Sequence, residues 1–370
     1  MACHGIRVAT ALNLVYAAVQ YKLQGVVMNC NIVLQASRRW RAGALAGLLA
    51  CGLAHAADDL PALHAKPQST SVSGLSSGAF MSVQYGTAYS ASVMGVGVVA
   101  GGPYNCAYVN SGGIMACMSG SPSGQMSWLA AEGFATLGQI DPVAGIAKQK
   151  VYVFSGTQDA VVKPPVVQAT RDFYQAAAVP KADLAYVNAL PAGHAFIATT
   201  FGNVCATNAT PYIDQCAQKG KAYDQPLAIL QHIYGPLQPA VASLSSTVRP
   251  FDQRAFASAD TGLDSVGFYY VPISCATNSS ACAVHVVFHG CQQGAAVVGS
   301  DVYSKVGYNQ WADSNQTIVL YPQILASQMS PQNPQGCWDW WGYSGANFQV
   351  KSGPQMMAVK AMVDRLTTTP

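Results

Sequence analysis

The chain has 370 residues, 51% of them apolar and only 9% charged. That is too apolar for a disordered polypeptide and long enough for one large α/β domain or two ordinary ones. Of the 19 basic residues five (Arg7, Lys22, Arg38, Arg39, Arg41) fall in the first 56 positions, which hold no acid; the remainder carries 14 bases against 16 acids, so a basic footprint for nucleic acid is excluded.

The first segment has the layout of an export signal. Arg38-Arg39-Trp40-Arg41 is a positive region, Ala42 to Leu53 an apolar stretch and Ala54-His55-Ala56 a small-x-small cleavage site. The apolar stretch is too short to span a membrane. Cleavage after Ala56 and a secreted or periplasmic location are expected, with residues 1–56 an N-terminal extension and signal peptide. Met28 is a more ordinary start than Met1 for such a signal, and Leu48-Leu49-Ala50-Cys51 fits a lipoprotein acylation box less well than Ala54-His55-Ala56 fits simple cleavage.

Three of the 11 cysteines (Cys3, Cys30, Cys51) precede that cleavage, leaving eight disulfide candidates: Cys106, Cys117, Cys205, Cys216, Cys275, Cys282, Cys291 and Cys337. Eight cysteines allow about 105 pairings. Neighbours in sequence are the pairs taken here, because short loops are the easiest to close in an oxidising compartment. No spacing matches a zinc site, and neither a metal nor a cofactor is expected.

Residues 57–370 show no linker, repeat or shift in composition and read as a single domain. β-branched or aromatic runs predict strands at Thr70 to Ser73, Val93 to Ala100, Val151 to Ser155, Leu184 to Val187, Gly267 to Val271, Val284 to Phe288 and Thr317 to Tyr321. Between them, helices are predicted at Phe80 to Tyr89, Met126 to Leu137, Pro165 to Ala178, Tyr303 to Asp313 and Gln355 to Leu366. Alternation of this kind indicates an α/β fold, with helices flanking a mostly parallel central sheet.

Gly74-Leu75-Ser76-Ser77-Gly78 matches G-x-S-x-G between a strand and a helix. In that context the serine sits on a tight turn whose flanking positions have no room for side chains. Asp159 follows the strand ending at Ser155, and His194 follows the strand Leu184 to Val187. Serine, acid and histidine, each after a strand, give the α/β-hydrolase order. The carboxylate would orient the imidazole, which would in turn take the serine proton. Ser77 would supply one oxyanion N–H. The second normally comes from an upstream loop, and about 20 residues upstream leave no room for one. The needed strand-and-loop instead appears late, where Ala283 to Phe288 runs into His289-Gly290-Cys291-Gln292-Gln293. The fold is therefore expected to be circularly permuted: residues 57–240 carry nucleophile, acid and base, and residues 241–370 carry the oxyanion loop and a Trp-rich segment.

These residues, together with Gly156-Thr157-Gln158-Asp159, Gly193-His194 and Gly336-Cys337-Trp338-Asp339-Trp340, resemble the poly(3-hydroxybutyrate) depolymerases with a permuted catalytic domain. The resemblance covers residue 66 to the end. It implies Ser76 as nucleophile, Asp159 as orienting acid, His194 as base, the amides of Ser77 and Cys291 as oxyanion hole, and a Cys291–Cys337 bond. Trp338, Trp340, Trp341 and Tyr343 form an aromatic run in which Trp338 is expected to line an apolar cleft, with Trp340 a second candidate for substrate binding. A polyester or hydroxybutyrate oligomer is the expected partner. Amorphous polymer or oligomers suit the chain better than crystalline polymer, since no appended substrate-binding domain is seen. His232, His285 and His289 are taken as structural. The competing readings are a feruloyl- or acetyl-type carbohydrate esterase of the same superfamily and a non-catalytic polyester-binding protein.

Overall fold

The computed structural model describes residues 57–369; the expected signal peptide, its cleavage point and Cys3, Cys30 and Cys51 lie outside the described residues. Eight strands build the main sheet: β1 (Thr70–Leu75), β2 (Val93–Val99), β3 (Lys150–Phe154), β4 (Leu184–Val187), β5 (Arg249–Asp252), β6 (Val266–Tyr270), β7 (Ala283–Phe288) and β8 (Thr317–Tyr321). Their order is β5-β6-β8-β7-β1-β2-β3-β4. The six strands from β8 to β4 are parallel, while β6 pairs antiparallel with β8 and with β5. Helices cover both faces of the parallel part, so its central strands are buried: all six residues of β1 and all five of β8 are buried, and the polar Ser71 and Ser73 of β1 are satisfied by His285. Pro250 is tolerated because β5 is an edge strand, where a missing N–H breaks no ladder.

The rotated chain order is visible in the hydrogen bonds. Strand β7, late in sequence, lies parallel beside β1 with Phe288 opposite Gly74. Helix Pro354–Thr367 ends against the segment that leads into β1: the N–H groups of His64 and Ala65 donate to the carbonyls of Thr368 and Leu366 at 2.8 and 3.0 Å. A chain that began at β5 would run from this helix into β1 through a short link. Both parts of the body therefore share one sheet and one core.

Helix boundaries depart from expectation where the backbone, not hydrophobicity, decides. The first helix begins at Ser77, directly after the nucleophile candidate, and every residue to Ala88 is buried. The expected helix Tyr303 to Asp313 is divided: a π turn at Asp301–Lys305 gives way at Gly307, whose φ is +115°, to helix Tyr308–Ser314. Two short helices, Cys106–Val109 and Gly113–Ser119, and a small parallel sheet of Phe196–Ile197, Ile213–Gln215 and Asn203–Val204 carry too little periodicity to be read from sequence. No helix among the described residues is long and apolar enough to cross a membrane.

Among the described residues four disulfides join sequence neighbours: Cys106–Cys117, Cys205–Cys216, Cys275–Cys282 and Cys291–Cys337.

Candidate active site

The turn from β1 into helix Ser77–Ala88 holds Ser76 at φ 57°, ψ −122°, a region that L side chains avoid. Three bonds keep it there. Its N–H donates to the Val99 carbonyl at 3.0 Å and its carbonyl accepts from the N–H groups of Ala79 at 2.9 Å and Phe80 at 3.0 Å. The flanking glycines are sterically required. A Cβ on Gly74 would run into the Gly78 carbonyl and come within 2.8 Å of the Phe288 oxygen; one on Gly78 would collide with the Phe288 and His289 carbonyls. The elbow is thus clamped against the end of β7.

Asp159 and His194 follow β3 and β4, which places both at the carboxyl edge of the sheet beside Ser76. His194 Nδ1 and Asp159 Oδ2 are 2.8 Å apart, with side-chain exposures of 4% and 0%. The other carboxylate oxygen, Oδ1, accepts from the N–H groups of Val161 and Val162, both at 2.9 Å. A buried carboxylate is costly unless its lone pairs are used, and here three donors use them. They also leave one orientation of the imidazole, with Nδ1 toward the acid. Tyr212 packs edge-on against the ring, with centroids 5.9 Å apart and planes at 81°.

Ser77 N–H and Cys291 N–H, like Gly78 N–H at the same helix start, donate to no acceptor among the described residues. In the turn after β7 their neighbours are all engaged: Gly290 N–H with Gln293 Oε1 at 2.7 Å, Gln292 N–H with Gln335 at 2.7 Å, Gln293 N–H with Gly290 at 3.2 Å. Only Cys291 is left to donate to something else. Its disulfide to Cys337 ties this turn to the Trp-rich segment.

Ser76, His194 and Cys291 line one cleft of about 270 Å³, together with Phe80, Met118 and Trp340. The remaining walls include Ile114, Val161, Val162, Tyr212 and Trp341, so a serine and a histidine open onto a mostly apolar slot. Another hollow, of about 340 Å³, lies at the antiparallel edge between Leu63, Arg249 and Tyr269 and has no histidine or acid in its lining.

The chain is 43% identical over 335 residues to the poly(3-hydroxybutyrate) depolymerase of Delftia acidovorans, matching 88% of this chain and spanning 65% of that protein's length. It is 37% identical over 352 residues to the polyhydroxybutyrate depolymerase of Talaromyces funiculosus, across 88% of this chain and 97% of that one. The chain belongs to the poly(3-hydroxybutyrate) depolymerase family. No family model matches it. The crystal structure of PHB depolymerase from Penicillium funiculosum superposes with a TM-score of 0.76 at 35% identity, over 84% of this chain and 98% of that one. A serine-to-alanine variant of PHB depolymerase complexed with an R3HB trimer gives a TM-score of 0.77 with the same identity and coverage. The fold is accordingly the permuted α/β-hydrolase of these depolymerases.

One site expectation fails. Trp338 does not line the cleft: it is 0% exposed, edge-on to Phe288 at 4.8 Å, with its backbone N–H donating to Ser77 Oγ at 3.2 Å. The cleft-facing indoles are Trp340, stacked on Phe80 at 4.3 Å, and Trp341. The cause is Asp339, whose carboxylate gathers the N–H groups of Trp341, Gly342, Tyr343 and Ser344 and the Ser344 hydroxyl. That folds the chain back sharply and puts Trp338 and Trp340 on different sides of the turn.

His285, His289 and His232 are held by hydrogen bonds away from the cleft lining. His285, inside β7, lies between Ser71 Oγ at 2.6 Å and Ser73 Oγ at 2.8 Å, and burial pushes its pKa down to about 3. Burial likewise lowers that of His289 to about 4, keeping it neutral. Its Nε2 accepts from Ile324 N–H at 3.1 Å, so Nδ1 carries the proton and donates to the Gly290 carbonyl at 2.7 Å. His289 therefore braces the Cys291 turn. On helix Gln225–Tyr234, His232 meets the Asp183 carbonyl at 3.0 Å. Sequence reasoning placed Gln293 in the loop after β7 without giving it a role and missed Tyr212 and Asn208 altogether; the partners that matter are distant in the chain.

Proposed function

We propose that this protein is a serine esterase that hydrolyses poly(3-hydroxybutyrate) or its oligomers through an acyl-enzyme on Ser76. His194 takes the Ser76 proton as Oγ attacks the ester carbonyl carbon. The oxyanion that forms is held by the N–H groups of Ser77 and Cys291, and Asp159 stabilises the imidazolium. As the tetrahedral species collapses, His194 gives its proton to the departing hydroxyl of the neighbouring unit. Water, deprotonated by His194, then attacks the acyl-enzyme and releases a carboxylic acid, so each cycle consumes one ester and one water. The methyl and backbone carbons of the substrate pack on Phe80, Met118 and Trp340.

The observation that carries the reading is the buried Asp159–His194 pair at 2.8 Å opening onto the same cleft as the strained Ser76. Bonding of all eight described cysteines supports export to an oxidising compartment. The test is release of soluble 3-hydroxybutyrate products from amorphous polymer, read by mass spectrometry, against release from methyl ferulate. Polymer hydrolysis that falls at least about 10⁴-fold in Ser76→Ala is expected. Activity on the ferulate alone would favour the carbohydrate-esterase reading, and parent-level activity in Ser76→Ala would remove the acyl-enzyme.

A further inference from the structure

The segment from Cys205 to Cys216, closed by its disulfide, lies against both the acid turn and the histidine loop. We propose that Asn208, at its tip, is a positioning residue for hydrolysis: its side-chain amide clips the Asp159 turn to the His194 loop at the spacing their hydrogen bond requires. The inference rests on the catalytic reading given above.

The amide of Asn208 spends its whole bonding capacity on this junction. Oδ1 accepts from the N–H groups of Ala160 and His194, both at 2.9 Å. Nδ2 donates to the carbonyls of Gln158 at 3.1 Å and Ala206 at 3.2 Å. Two partners therefore flank Asp159 on either side, and a third is the backbone of His194 itself. Partner chemistry also fixes which way the amide points, since two N–H groups demand the oxygen and two carbonyls demand the nitrogen. Apart from the Asp159–His194 pair, no other side chain among the described residues bonds to both loops.

What else joins the loops is backbone alone. Thr157 and Gln158 N–H donate to the Leu190 and Ala192 carbonyls at 2.9 and 3.0 Å, and Gly193 N–H to Cys205 at 2.7 Å. A Cβ on Gly193 would collide with the Thr207 carbonyl, so the 205–208 stretch presses directly on the residue before the histidine. These contacts set the loops side by side. They do not hold the residue at position 160 and the one at 194 to a common atom; Asn208 Oδ1 does. The Asp159 bond and the edge of Tyr212 orient the imidazole ring, while the backbone that carries it is placed by the loop, and a misplacement of about 1 Å at a reacting group costs about 10²-fold in rate.

The experiment compares Asn208→Ala, Asn208→Asp and His194→Ala with the parent enzyme on p-nitrophenyl butyrate. It reads kcat and KM separately and follows the low-field Nδ1 proton of His194 by NMR of ¹⁵N-histidine-labelled protein. Asn208→Ala is expected to lose about 10²-fold in kcat with KM within about 2-fold, and its low-field proton to exchange away. Asn208→Asp keeps the shared acceptor oxygen but turns an oxygen in place of the amide nitrogen toward the Gln158 and Ala206 carbonyls, so it should recover only in part, to a kcat about 10-fold below the parent with a weakened low-field proton. Parent-like kcat in Asn208→Ala, or a lost kcat with the low-field proton unchanged, overturns the proposal. Should the alanine variant not fold, Asn208→Asp decides: a reduced kcat with a weakened low-field proton supports it, and parent values of both overturn it. His194→Ala separates the two levels. If it is inactive while Asn208→Ala is normal, only the positioning role falls; if it is active, the catalytic reading falls and takes this inference with it.

Discussion

At the scale of single residues, the chemistry depends on groups that are held, not merely present. Gln293 is 1% exposed, accepts from Gly290 N–H and donates to the Pro211 and Tyr212 carbonyls at 2.8 and 2.9 Å. It thereby shapes the turn that leaves Cys291 N–H free and fixes Tyr212 against the imidazole. Gln293→Ala should strand a buried N–H, costing about 1–3 kcal/mol of stability. It should also lower kcat on p-nitrophenyl butyrate by about 10²-fold, close to the loss of one oxyanion donor. A paired denaturation and kinetic measurement checks both. The two indoles should separate in the same assays. Trp338→Ala should cost about 3–5 kcal/mol through a core cavity. Trp340→Ala, at the cleft wall, should raise KM for hydroxybutyrate oligomers with a smaller change in melting temperature.

Among elements, the turn after β7, proposed to hold the oxyanion, is tied to the Trp-rich segment because Cys291 and Cys337 join them across 46 residues. Opening so long a loop costs roughly 4 kcal/mol in the chain-entropy account. A Cys291→Ser/Cys337→Ser double variant should therefore unfold at lower denaturant by about that amount, and should lose kcat as the Cys291 amide drifts from the Ser77 amide. The Cys275→Ser/Cys282→Ser pair closes only 7 residues, away from the cleft lining, and should leave kcat unchanged. Equal kcat losses in the two double variants would contradict the coupling. The helix pair Cys106–Val109 and Gly113–Ser119, joined by Cys106–Cys117, contributes Ile114 and Met118 to the cleft wall in the same manner.

For the whole molecule, pH acts through buried groups outside the cleft. Burial keeps His285 and His289 neutral down to about 3 and about 4, against 6.5 in an unfolded chain. Burial also lifts Asp214, which is 0% exposed, from 3.8 to about 7. Between about pH 4 and 6.5 the unfolded chain binds two protons on the histidines that the folded one excludes, and the folded chain keeps one on Asp214 that the unfolded one releases. The balance is one proton in favour of unfolding. Stability should thus rise with pH by about 1.4 kcal/mol per unit through this window. Asp214→Asn removes the opposing contribution and should steepen the slope to about 2.8 kcal/mol per unit. Urea unfolding at pH 5 and pH 6 gives both slopes; an unchanged slope in the variant would contradict a protonated Asp214.

The elbow at Ser76 could be read from the chain because its causes are local: two glycines, a strand before and a helix after. The placement of Asp159 and His194 followed from strand order, and the rotated topology from a strand and loop that come late in sequence yet belong beside β1. Short-range disulfides were legible for the same reason, proximity along the chain. Which indole faces the cleft was not, since Asp339 decides it by collecting five donors that a linear pattern does not display. Nor were Asn208 and Gln293, whose amides bond to groups 50 and 82 residues away. Local sequence sets the backbone's turns and periodicities. Buried loop amides must find partners wherever the finished fold puts them, and only the tertiary structure names those partners.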